Sequence, residues 1–336
     1  MHHSPSTPPL VLGCHHKTGS VLLIQLMDRL GPRLTQKLRL NRIVSGSPID
    51  RKVPLSAILS HHRNPDCYLN LWFEHEIDVP ADSIRLLHFV RHPVKWVRSA
   101  YLYHKKGAPS DSIRWLDWRV FRWKGEQLSY CELLNRLDAS LGLAIETVRA
   151  FPEIIGTARV ARTSSGLNYR QQLSLEQVHD SFDTTFSELC TFLGFNKPDT
   201  DRLIGELRYL DLSLPRPGRS LPPNVTRTSA ESPELERTLE RDPSFAKLFV
   251  DAAKDMGFGL SEKPRPACCI LPETIVKALL DGRSHVTTHW QAAERTKEFM
   301  RDKDSDKWWP AYGLQVSGCG HLMMHSFIQQ LLDTVQ

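Results

Sequence analysis

Three groups of residues in this chain have the types and spacing to do chemistry. The first is Gly13-Cys14-His15-His16-Lys17-Thr18-Gly19-Ser20, which offers two glycines, a lysine and two hydroxyls. The second is Arg91-His92-Pro93, with Ser99 further along. The third is Glu74-His75-Glu76. A glycine-containing loop that opens a helix holds a phosphate, because the free N–H groups of the first turn and the helix dipole face the anion; a lysine adds a full charge. An arginine brings a planar fork that grips a second phosphate, and a serine hydroxyl can join it. A histidine or glutamate at a strand end can take a proton from an attacking hydroxyl.

The elements that must carry these groups are legible around them. Leu10-Val11-Leu12 reads as a buried parallel strand. Val21, Leu22, Ile24, Gln25 and Leu26, giving way to Asp28 and Arg29, predict an amphipathic helix ended by Gly31-Pro32. Tyr68 to Phe73 predicts a strand that runs into the Glu74-His75-Glu76 triplet. Ser83 to Val90 predicts a second, near-continuous apolar strand. It ends at Arg91, and Pro93 is preset for the first turn of a helix from Val94 to Lys105. The lysine stands two residues before the second glycine, so the loop is not the G-x-x-x-x-G-K-[ST] loop of ATPases, where lysine follows it directly.

Lys17-Thr18-Gly19-Ser20 resembles the 5′-phosphosulfate loop of sulfotransferases that use 3′-phosphoadenosine 5′-phosphosulfate (PAPS), and FVRHPVKWVRSAYLYH resembles their 3′-phosphate signature. On these two elements the chain is identified as similar to the PAPS-dependent sulfotransferase family. The run Ser181 to Phe195, with Phe186, Leu189, Phe192 and Leu193 as a buried stripe and Gly194 as C-cap, resembles a helix of that family that packs on the sheet. The family's usual strand before it has Val160-Ala161-Arg162-Thr163 as its nearest candidate.

The resemblance implies an α/β fold of the P-loop NTPase-like sulfotransferase kind, a central parallel sheet flanked by helices. It implies one sulfotransferase-like domain over residues 9–295 and a C-terminal extension, 296–336, of unknown role. His16, Lys17, Thr18, Gly19, Ser20 and Val21 would bind the cosubstrate's 5′ end, with Lys17 neutralising charge as the bond breaks. Arg91 and Ser99 would clamp the 3′-phosphate. Arg283, followed by Trp290, has the outline of a C-terminal motif for the same phosphate, without its glycines. The base would be His75 foremost, then Glu74, with His61 and His62 as alternatives. Many members place a tryptophan after the loop to stack on adenine; Val21-Leu22 stands there instead. The expected reaction is sulfuryl transfer from PAPS to a hydroxyl, or an amine, of a small-molecule or carbohydrate acceptor, without a metal. A P-loop kinase or NTPase and a non-catalytic nucleotide-binding module are the competing readings.

Composition sets the outer limits. At 336 residues, with 40% hydrophobic and 24% charged residues, the chain suits a soluble globular protein. A net charge of +5 is too small for a dedicated nucleic-acid binder. No apolar run approaches the ~18–20 residues that span a bilayer, and the first ten residues lack a signal peptide's charged and apolar segments. Seven cysteines, odd in number and scattered, predict reduced thiols in the cytoplasm, with Cys14 as loop filler rather than nucleophile. Trp115, Trp118, Phe121 and Trp123 predict a helix with an aromatic face, and Ser129 to Ala150 one or two helices with Leu133, Leu134, Leu137 and Leu141 inward. Glu234 to Met256 reads as one helix. The i, i+4 pairs His285/His289 and His321/His325 read as coincidence among 15 histidines rather than a metal grip.

Overall fold

The computed structural model describes residues 8–46, 50, 53–107, 119–211, 213, 232–260, 269–281 and 328–334. Arg283, Trp115, Trp118 and the four paired histidines lie outside the described residues. The strands are β1 (Leu10–Gly13), β2 (Ile43–Ser45), β3 (Cys67–Asn70), β4 (Arg85–Val90), β5 (Phe121–Trp123), β6 (Glu126–Leu128) and β7 (Arg170–Ser174). The helices are α1 (Ser20–Leu38), α2 (Leu55–His61), α3 (Pro93–Lys105), α4 (Tyr130–Arg136), α5 (Ala139–Thr163), α6 (Leu175–Asp180), α7 (Phe182–Phe192), α8 (Lys197–Leu207), α9 (Ser232–Glu240), α10 (Pro243–Asp255) and α11 (Glu273–Asp281). The chain divides into two compact units, Met1–His92 with Gly156–Ser220 and Pro93–Ile155 with Leu221–Gln336. The boundary expected at 295/296 falls outside the described residues.

The first unit is an α/β layer structure around a five-stranded parallel sheet of order β2-β3-β1-β4-β7. Its central strands are buried along their whole length, as apolar strands covered on both faces must be. On one face, Leu22, Leu23, Leu26, Leu30 and Leu34 of α1 and Phe186 and Leu189 of α7 pack against Leu10, Leu12, Leu87 and Phe89. On the other, Leu55, Ile58 and Leu59 of α2 and Val160 of α5 pack against Val11, Tyr68 and Leu86.

Three sequence expectations are corrected here. The first helix does not stop at Gly31-Pro32 but runs on to Leu38, because Leu34 continues the buried stripe and offsets the amide that Pro32 lacks. Val160 to Thr163 is helical, and the strand that closes the sheet is β7, whose polar Arg-Gln-Gln start suits an edge and hides it from an apolar-run criterion. β3 ends at Asn70, so Trp72 to Glu76 is irregular backbone.

The second unit is mainly helical. The expected helix around Phe121 and Trp123 is instead the antiparallel hairpin β5–β6, turning through Lys124 and Gly125, both at positive φ as a tight hairpin requires. The single helix expected over 234–256 is two, because Asp242 caps α10 and Pro243 takes its first turn. The unit's core encloses a charged network in which Glu146 meets His104, Tyr130 and Arg149.

Candidate functional site

In an open parallel sheet, ligands bind beyond the carboxyl ends of the strands where the strand order reverses. Here β1 feeds leftward to β2 while β4 feeds rightward to β7, so the reversal lies between the adjacent strands β1 and β4. Gly13 to Gly19 leaves β1 at that point, and Arg91 leaves β4.

The loop is tied to itself and to its neighbours. His15 N–H donates to Thr18 Oγ1 (2.7 Å), while the Thr18 hydroxyl and N–H donate to the His15 carbonyl (2.9 and 3.0 Å). Cys14 N–H donates to Asn70 O, and Phe73 N–H to Cys14 O, which fastens the loop's start to the end of β3. Lys17 sits at φ 66 and Gly19 at φ 128. A Cβ on Gly19 would stand 3.0 Å from Phe89 and 3.3 Å from Leu175, so glycine is required there by conformation and by space. The helix that follows has no side-chain cap and no acidic residue in its first turn, which leaves its positive end facing the loop. Thr18 is enclosed, Lys17 nearly so, and His16, Ser20 and Val21 are half-buried. Cys14 is filler, since burial pushes its thiol well above the ordinary range.

Arg91 reaches back to this loop. Its Nη1 donates to the Lys17 carbonyl at 2.9 Å, across 74 residues of sequence. Its Nε lies 3.8 Å from Glu176 Oε1 in the first turn of α6. Ser99 belongs to the second unit, where it is buried on α3.

Glu74 and His75 are separated by their surroundings. The Glu74 carboxylate accepts from His15 Nε2 at 2.8 Å. The tautomer follows from the other ring nitrogen: Nδ1 accepts His16 N–H at 2.8 Å, so the proton of the neutral ring is on Nε2. A Cβ on Gly156 of α5 would come within 2.8 Å of the Glu74 carboxyl carbon, so the missing side chain makes the room that Glu74 uses. His75 is fully enclosed and points the other way. Its Nδ1 donates to Val53 O (2.7 Å), and its Nε2 accepts from Tyr68 Oη (3.1 Å) and Asn70 Nδ2 (3.2 Å). Burial pushes its pKa down to about 4. His61 and His62 precede the first residue of β3, at the sheet's opposite end from the loop.

Sequence reasoning missed His15, Gly156, Glu176 and His88. The doubled histidine before Lys17 was a visible signal for His15; the others are brought in only by tertiary structure. His88 pairs with Gly13 across β4 and β1, is fully buried, and among the described residues has no hydrogen-bond partner on either ring nitrogen. Burial first, then Arg170 and His15, push its pKa down to about 3. Among the described residues no cluster of three His, Cys, Asp or Glu could hold a metal, and no helix is long and apolar enough to cross a membrane.

No protein-family model matches the chain, and no curated protein does. Among solved structures, mouse sulfotransferase SULT7A1 complexed with PAP aligns over 83% of this chain and 90% of its own, at 11% identity. The TM-score of that alignment is 0.31. What fold and site define by themselves is an α/β protein with a lysine-bearing, helix-opening loop at the reversal of a parallel sheet.

Proposed function

We propose that the protein is a PAPS-dependent sulfotransferase that moves a sulfuryl group to a hydroxyl of a small-molecule or carbohydrate acceptor. The observation that carries this reading is the bond from Arg91 to the Lys17 carbonyl: the two motifs read separately in the sequence converge on one place. An anion loop beside an arginine fork suits a ligand with two separated phosphates, which sets PAPS apart from ATP.

In this reading Lys17, Gly19 and the first N–H groups of α1 bind the 5′ end, and Thr18 shapes the loop through its two bonds to His15. His16, Ser20 and Val21 line the same approach. Arg91 binds the 3′-phosphate, with Ser99 assigned to that phosphate from sequence spacing alone. PAPS supplies an activated sulfuryl group whose transfer needs positioning and charge stabilisation more than covalent help. Lys17 meets the charge that grows on the leaving phosphate oxygen. Glu74, oriented by His15, is the proton acceptor we favour over His75, because His75 has every ring nitrogen engaged within the core. Seven scattered cysteines, odd in number, suit a reducing, cytoplasmic setting.

The test is thermal stability with 3′,5′-ADP, ATP and 5′-AMP, each with and without Mg²⁺. A ligand at ~100 times its Kd stabilises by ~2.7 kcal/mol. Stabilisation by 3′,5′-ADP alone, independent of metal and lost in Arg91→Ala, is the expected result. A response confined to Mg-ATP would replace this reading with a kinase or NTPase.

A further inference from the structure

Glu176 stands beside the arginine fork and is short of a donor. A Cβ on Gly19 would stand 3.3 Å from Leu175, which sets the head of α6 against the phosphate loop. Glu176 Oε1 is 3.8 Å from Arg91 Nε, too far for a hydrogen bond. Its Oε2 is buried and accepts no hydrogen bond among the described residues, with the side chain 13% exposed. A carboxylate oxygen enclosed without a donor is costly to keep, and a protein that keeps one beside a ligand site has a use for it.

The chemistry of the pair narrows that use. Arginine takes an anion, and a carboxylate takes a neutral O–H or N–H donor while repelling a second anion. A ribose phosphorylated at C3′ presents that combination, because the carbon next to the phosphate carries a free hydroxyl. We infer that Glu176 reads the 2′-hydroxyl of the nucleotide whose 3′-phosphate Arg91 holds. The inference rests on the PAPS reading above and adds a specificity-determining residue to it. Glu176 selects a ribonucleotide over its 2′-deoxy counterpart, and it excludes the isomer in which the phosphate sits on C2′, because that anion would face the carboxylate.

Calorimetric titration of the intact protein separates this inference from its parent. 3′,5′-ADP should bind tighter than 2′-deoxyadenosine 3′,5′-bisphosphate by about tenfold or more, the worth of a hydrogen bond to a charged group. Glu176→Ala should bind the two alike, and Glu176→Gln, whose amide oxygen still accepts, should restore part of the preference. Equal binding of the two nucleotides by the wild type overturns the inference and leaves the PAPS reading standing. A preference that survives in Glu176→Ala overturns it too, as does tighter binding of 3′,5′-ADP by that variant, which would make the carboxylate a competitor of the phosphate. Binding of neither nucleotide by the wild type overturns both readings. The wild-type comparison decides even where a variant does not fold.

Discussion

Glu74 and His75 are neighbours in sequence with opposite fates. One faces the phosphate loop through His15; the other is sealed among Val53, Tyr68 and Asn70. The triplet itself was visible in the sequence as a source of bases, but the direction of each side chain was not. Alternation along a strand would have settled it, and β3 stops at Asn70, before the triplet begins. Burial and three hydrogen bonds suit His75 to a structural role. His75→Ala should therefore lower stability by about 2–4 kcal/mol in urea denaturation. The protein that remains folded should bind 3′,5′-ADP with wild-type affinity. A variant as stable as the wild type would return His75 to the list of bases.

At the scale of elements, legibility followed burial. β1, β4, α3 and α7 are apolar in the pattern their surroundings demand, and the sequence located each of them. β7 escaped because an edge strand that is half exposed can be polar, and because Val160 and Ala161 nearby offered a more apolar decoy. The run of α1 through Pro32 escaped for the opposite reason. A local breaker was read as decisive where five buried leucines outweigh it. The loop between β1 and α1 was the best-read element, since its glycine, lysine and hydroxyls announce themselves. Its tight fit makes a sharp prediction: Gly19→Ala must place a Cβ 3.0 Å from Phe89 at φ 128. The strain should cost about 1–3 kcal/mol and weaken 3′,5′-ADP binding, as measured by chemical denaturation and titration. Unchanged values of both would show that the loop yields freely.

For the whole molecule, the buried histidines set the response to acid. His75 and His88 are held neutral when folded, with pKa values pushed to about 4 and about 3 from an ordinary 6.5. The unfolded chain binds these protons first, so their contribution is complete above pH ~6.5 and is lost as pH falls toward the folded values. Each should remove about 1.4 kcal/mol per pH unit within its window. Glu146 in the second unit acts lower. Burial would raise its pKa, but Arg149 and His104 outweigh that and lower it to about 2, so its contribution is lost only as pH falls from the ordinary carboxylate range. Thermal denaturation across pH 4–7 should thus show stability falling with acid already below pH ~6.5. A flat profile down to pH 5 would mean that the two imidazoles protonate in place.

The bonds that close the phosphate loop on itself have one more consequence. Thr18 to His15, Arg91 to Lys17 and His15 to Glu74 leave the backbone between β1 and α1 few alternative shapes before any nucleotide arrives. On the function proposed above, an anion would meet a finished cradle, and its attraction would go into holding the ligand rather than into ordering the chain around it. Recognition of this kind would work as a lock already cut, and on the proposed function discrimination between nucleotides would be decided by what the cradle's edges accept or refuse.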